Sequence, residues 1–251
     1  MTIWKYGWIP DRPDSRDHAY EAPPDVLVAL PLTVDLRPQC PPVYDQGDLS
    51  SCTANAIAAA VQFDLMKQKL PNFMPSRLFL YYNERVMAGT AHVDSGAPLR
   101  DGIKTVAKAG DCPESLWPYN HTKFADKPPE HCYAQARKYR AVQYKRLNRK
   151  AEQLKGCLAS GYPFIFGIKA HQSLQSPEVA KTGHESMPAP GDKPIGGHAV
   201  LAVGYDDSKQ WFIVRNSWGD SWGMEGYFTL PYAYVLDENL ALDFWTLRVI
   251  T

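Results

Sequence analysis

Three residues whose types together run thiol chemistry stand at separated points of the chain: Cys52 in QGDLSSC, His198 in IGGHAVLAVGYDD and Asn216 in FIVRNSWGDSWG. A thiol becomes a nucleophile when its thiolate is favoured, and a helix N-terminus supplies the partial positive charge and spare N–H donors that favour it. Cys52 has that address, because Thr53 to Gln68 runs without Gly or Pro, with serines before it and Pro71 beyond its end. A thiolate also needs a base. His198 follows Gly196 and Gly197, which clear space, and opens an apolar run that would hold an imidazole rigidly as a strand. Asn216 ends the next such run. If the two strands are antiparallel neighbours, the start of one lies beside the end of the other, and the amide oxygen of Asn216 can orient the ring. Cys, His and Asn in those roles form the thiol counterpart of the triad used for acyl transfer.

Residues 1–33 carry Trp4, Trp8, Pro10, Pro13, Pro23, Pro24 and Pro31, a proline spacing that forbids a long helix and predicts an extended N-terminal arm. The run from Thr53 to Gln68 is apolar on nearly every face, which predicts a helix surrounded by protein. Further helices are predicted over 76–87 and 99–109, separated by the Gly96-Ala97-Pro98 turn, and from an Asn148 cap to about Ala159. Short strands follow at 163–168, 198–205, 211–215, 227–230 and 244–250. Helices gathered ahead of strands give an α+β class. The expected organisation is the arm, 1–33, followed by one domain, 34–251. That domain has a helical lobe of about 45–140 and a strand lobe of about 141–251, meeting at a cleft that takes the substrate.

The chain has 251 residues, with 27 Lys plus Arg against 27 Asp plus Glu, so net charge gives no reason to expect nucleic acid or membrane as a partner. No apolar run approaches a bilayer span. Lys5, Asp11 and Arg12 interrupt any secretory apolar core, so the expectation is no signal peptide in this chain, and a cytoplasmic location or export by a signal-independent route. Five cysteines with no C-x-x-C, and no H-E-x-x-H, predict neither a disulfide framework nor a metal site. Cys40, Cys112, Cys132 and Cys157 are read as structural thiols. The basic block from Arg137 to Lys155 is read as a solvated face. The other histidines are expected in loops or on the surface, and Trp4, Tyr6 and Trp8 are expected to pack the arm onto the body.

The motifs QGDLSSC, GGHAVLAVGYD and RNSWGDSWGMEGYF resemble the papain family of cysteine peptidases, in its disulfide-poor bacterial branch, from about Val34 to the C-terminus. The family sets His and Asn roughly 130 to 150 residues after the nucleophile; here the His falls within that range and the Asn slightly beyond it, which suggests insertions between the strands. The resemblance implies a papain-like fold, with a helical left lobe, an antiparallel barrel-like right lobe and the active site between them. It implies peptide or protein substrates, no cofactor, and a thiol endopeptidase activity. Gln46, six residues before Cys52, is implied as the oxyanion-hole donor with the Cys52 N–H. Trp218 would shield the His198–Asn216 hydrogen bond. Gly96 would pair with an extended peptide, and Ala97, Pro98 and Ala199 would line the pocket for the second residue before the cleaved bond, with Gly197 and Ser50 also against the substrate.

The family signature Cys-Gly-Ser/Ala-Cys-Trp/Tyr is met only at Ser51 and Cys52. Leu49 removes the usual nearby disulfide partner, which fits a reducing compartment. Ser50 replaces a glycine and adds a side chain beside the scissile residue. Two other readings stay open on the sequence: a papain-fold peptide-binding protein that has lost catalysis, and acyl transfer to an amine or amidase chemistry on the same fold. The arm is too short for a large helical pro-segment yet long enough to run through the cleft as an inhibitory peptide or short pro-segment.

Overall fold

The computed structural model describes residues 5–251. In chain order the elements are strands β1 (Trp8–Ile9) and β2 (Ala19–Tyr20), helix α1 (Pro24–Val28), β3 (Thr33–Asp35), α2 (Cys52–Lys67) and α3 (Arg77–Ala88). They continue with β4 (Ala97–Pro98), α4 (Leu99–Ala109), α5 (Glu130–Ala136), β5 (Ala141–Leu147), α6 (Ala151–Ala159), β6 (Phe164–His171) and α7 (Pro177–Thr182). The chain closes with β7 (Pro194–Asp206), β8 (Trp211–Arg215), β9 (Tyr227–Pro231), α8 (Tyr232–Leu236) and β10 (Ala241–Ile250).

Helix α2 is the central post. Every residue from Cys52 to Leu65 is buried, and its alanines at 54, 56, 58, 59 and 60 let α3, α4, β7 and β10 approach from different sides. A helix without a solvent face has no need of an amphipathic pattern, which is why its sequence is apolar all round. Helix α3 starts at Ser76, whose hydroxyl accepts the Phe79 N–H, and ends at Gly89 in the left-handed conformation.

The main sheet runs β2-β5-β10-β6-β7-β8-β9, with β3 also paired to β7. Pairing is antiparallel except between β2 and β5. The register of β7 on β8 sets Leu201 opposite Arg215, so His198 and Asn216 come together across adjacent strand ends as the spacing predicted. Phe164, Phe166, Phe212 and Phe244 pack against one another beneath the sheet.

Several local expectations change. The arm is not simply extended: it holds α1 and gives strands to two sheets, because its short pieces between prolines find partners on the body. Asn148 is not a helix cap; α6 begins after Lys150, and no side chain caps it. The basic block contains β5, whose Arg146 is tied into carboxylates, so its charge is partly structural. His171 ends a strand and is buried, unlike a surface histidine. His184 is exposed, as expected, and stacks on Trp211. Cys112, Cys132 and Cys157 are buried free thiols and Cys40 is a half-buried one. Trp8 is buried and Tyr6 half-buried against the body, while Trp4 lies outside the described residues. No described helix is long and apolar enough to cross a membrane.

Candidate active site

Cys52 is the first residue of α2 and is fully buried. Ser51 precedes it without capping the helix, because its hydroxyl is taken by Tyr119 Oη at 2.5 Å. The sulfur receives backbone N–H groups from Ala199, the residue after His198, and from Gly7 of the arm. Thr53, where the family has an aromatic, donates to Glu84 Oε1 at 2.6 Å, and burial pushes the Glu84 carboxyl up to about 8.

His198 Nε2 lies 2.8 Å from Asn216 Oδ1, which leaves Nδ1 as the ring nitrogen with no hydrogen-bond partner among the described residues. Trp218 stacks on the imidazole with ring centroids 5.0 Å apart and an interplanar angle of 28°. It covers a polar pair that water would otherwise contest. Gln46 is fully buried; its Oε1 accepts the Ser217 hydroxyl at 2.7 Å, and its Nε2 donates to Leu49 O at 2.8 Å and to Lys5 O at 3.0 Å. Tyr119 Oη also donates to Gln46 O at 3.0 Å.

The arm fills the cleft. Gly7 O accepts the Ala97 N–H at 2.8 Å, and β1 pairs in parallel with β4, Trp8 opposite Ala97 and Ile9 opposite Pro98. The Trp8 indole lies over Gly167, where any Cβ would come within 2.0 Å of the ring, and a Cβ on Gly197 would stand 2.2 Å from Trp8 O. Gly96, at φ +71°, carries the same constraint: a Cβ there would meet Gly7 O at 1.9 Å. Tyr6 stands edge-on to His198 at 5.8 Å and to Trp218 at 6.2 Å. Ser50 is buried, its N–H bonded to Asp94 at 2.9 Å. A groove of about 340 Å³ opens beside Trp8, lined by Pro10, Gly196, Gly197, Leu240 and Leu242 among others.

This cover corrects the expected thiolate. Burial pushes the Cys52 thiol from its ordinary 9.0 up to about 11 despite the backbone N–H groups of Ala199, Gly7 and Thr53, and burial pushes His198 from 6.5 down to about 4 despite the bond to Asn216. With water excluded, burial favours the neutral form of each group, because desolvation outweighs the pull of the helix terminus.

Of the residues the sequence brought to attention, His198, Asn216 and Trp218 contact one another, Gln46 is tied to Ser217 beside them, and the Cys52 sulfur lies by the backbone of Ala199, the residue after His198. Gly96, Ala97, Pro98, Gly197, Ala199 and Ser50 line the same cleft. Missing from that reading are Ser217 and Tyr119, which hold Gln46, and Lys5, Tyr6, Gly7 and Asp94, which close the cleft. Ser217 sits inside the Asn-Ser-Trp motif, but only the fold brings it to Gln46. No group of His, Cys, Asp and Glu among the described residues could hold a metal ion.

A family model described as papain family cysteine protease matches residues 30–236. A peptidase C1-like protein of Acanthamoeba polyphaga mimivirus is 42% identical, over 98% of this chain and 87% of its own length. Cathepsin K of Mus musculus is 31% identical over 88% of this chain, which spans 65% of that relative. Xylellain, a cysteine protease from Xylella fastidiosa, has a similar structure, with a TM-score of 0.94 at 44% identity, covering 98% of this chain and 96% of that one. With its papain-like α+β fold and the motifs at Cys52, His198 and Asn216, the chain belongs to the papain family of cysteine peptidases.

Proposed function

We propose that this cysteine endopeptidase uses Cys52 as nucleophile and His198 as acid and base, with Asn216 and Gln46 in support, and that its own arm inhibits it. The observation that carries the reading is the His198–Asn216 bond, which leaves Nδ1 as the nitrogen for the thiol at the head of α2. Once the arm leaves, water and substrate reach the pair, and the proton passes from Cys52 to His198 Nδ1. The thiolate attacks the peptide carbonyl. Gln46 Nε2, freed from Lys5 O, joins the Cys52 N–H in binding the developing oxyanion. His198 then gives its proton to the leaving amine and takes one from the water that hydrolyses the acyl-enzyme.

Asn216 fixes the ring by accepting from Nε2, and Trp218 shields that bond. The arm is a stand-in for an extended peptide: its Gly7 O is held by the Ala97 N–H, and Gly96, Pro98, Gly197, Ala199 and Ser50 surround it. Peptide and protein chains are the substrates this cleft admits. Incubation of a peptide library with the protein and with Cys52→Ala tests the assignment; new termini are expected from the first alone. Equal cleavage by Cys52→Ala removes Cys52 from its role.

A further inference from the structure

The arm is held at two places of different character. Ahead of Pro10 the contacts are all to residues that line the cleft: the Gln46 bond to Lys5 O, the Ala97 bond to Gly7 O, the buried seat of Trp8, and a 2.9 Å ion pair from Lys5 Nζ to Asp94 whose lysine side chain is 50% exposed. Beyond Pro10 the contacts are buried and dense. The Asp11 side chain is fully buried; Oδ1 accepts the Arg100 N–H at 3.0 Å and Oδ2 accepts Trp245 Nε1 at 2.9 Å. The Asp11 N–H donates to Asp243 Oδ2 at 2.7 Å, and Asp243 sits at φ +58°, a backbone conformation that costs a residue with a side chain. Arg100 grips Asp17 with two bonds, at 3.0 and 2.5 Å, and also reaches Arg12 O. Arg146 bridges Asp17 and Asp243 at 3.2 and 2.7 Å. Strand β2 then joins β5, Tyr20 and Ala22 enter the core, and β3 pairs with β7. Ile9 and Pro10, between the two regions, are exposed.

We infer that the arm is a bipartite device: residues 11–35 are a permanent part of the folded peptidase, and only the segment ahead of Pro10 is the removable inhibitor. The inference rests on the peptidase reading above and specifies its regulation. The segment inhibits without being consumed, because of what it presents to the nucleophile. An N–H, that of Gly7, faces the sulfur, while the carbonyl taken by Gln46 belongs to the preceding peptide bond, at Lys5. Opening therefore needs the short contacts at 5–9 to release, with the swing taken up around Pro10, and leaves the sheet whole.

Three chains test this: full length, one starting at Pro10, and one starting at Leu32. Cleavage of a fluorogenic peptide pool, iodoacetamide labelling of Cys52 and the thermal midpoint are read for each. The chain from Pro10 is expected to cleave and label at least about tenfold faster than full length, as a larger fraction is competent, with a midpoint within about 4 °C of it. The chain from Leu32 is expected to melt far lower or fail to fold. In the full chain, Lys5→Ala is expected to speed labelling at an unchanged midpoint. Equal cleavage and labelling by full length and the chain from Pro10 would overturn the inference, as would a midpoint for the latter as low as for the chain from Leu32. No cleavage and no selective labelling in any chain would instead fell the peptidase reading, and this one with it.

Discussion

Gly7 of the arm packs so closely on Ser50 that a Cβ at position 7 would stand 1.8 Å from the Ser50 carbonyl oxygen. Backbone meets backbone there, so no side-chain rotation relieves the clash. Gly7→Ala is expected to lift the segment from the cleft at a cost to the closed state of about 1–3 kcal/mol, equivalent to about 5- to 150-fold faster labelling of Cys52. The peptide-cleavage rate should rise with it. Labelling no faster than in the unaltered chain would show that Gly7 does not set the closed state.

Closure should also depend on pH, with a sign fixed by three groups. His198 is held below its ordinary 6.5, at about 4, by burial, so a proton favours the open cleft; the neutral ring's contribution to closure is complete above 6.5 and is lost as pH falls toward about 4. Burial works to raise Asp94, but hydrogen bonds from Lys5, Tyr81 and the Ser50 N–H outweigh it and hold the carboxyl below its usual range, so acid weakens that tie too. At the other end, burial raises Cys52 from 9.0 to about 11, so closure weakens as pH climbs through that interval. The labelling rate of full-length protein relative to the chain from Pro10 is therefore expected to be lowest between pH 6.5 and 9 and to rise as pH is brought toward 4. A ratio constant from pH 8 to 4 would contradict it.

What the sequence made legible was whatever is local. Cys52 at a helix start, β8 over 211–215 and the His198–Asn216 meeting follow from run lengths and turn residues, because neighbouring antiparallel strands leave little choice of register. The arm was legible as a segment that cannot be a long helix and is long enough to run through the cleft, but its path was not. Its place in the cleft depends on Gly96, Gly167 and Gly197, residues scattered through the chain whose missing side chains form one trough only after folding. The neutral state of the thiol was hidden for the same reason: a helix terminus can be read from a motif, whereas the loss of water over it cannot. Strand β5 was masked by its charge, since Arg146 is spent on Asp11, Asp17 and Asp243, which lie far from it in sequence.

Gln46 separates catalysis from inhibition. Its Nε2 bonds the Lys5 carbonyl in the closed state and is the proposed donor to the oxyanion in the open one. Gln46→Glu keeps the shape and replaces the donor by an acceptor. Labelling of Cys52 in the full chain is expected to speed up, because Lys5 O loses its partner. In the chain from Pro10, kcat is expected to fall about 10²- to 10³-fold with KM little altered. A kcat unchanged by the substitution would take Gln46 out of the oxyanion site.

Asp11 offers the converse test, in which stability moves and the chemistry does not. Its carboxylate is buried and serves the Arg100 N–H, the Trp245 indole and Arg146 together. Asp11→Ala leaves two donors unsatisfied and Arg146 with one carboxylate fewer, and removing one partner of a buried charge pair costs roughly 3–5 kcal/mol. Asp11→Asn keeps the acceptor oxygen and should recover part of that loss. The expected result in urea unfolding of the chain from Pro10 is a lower midpoint for Asp11→Ala, an intermediate one for Asp11→Asn, and near-equal kcat for all three at low temperature, because none of these bonds touches Cys52 or His198. Equal midpoints would mean that the charged cluster is solvated in practice and that the arm beyond Pro10 is held by β2 and the core alone.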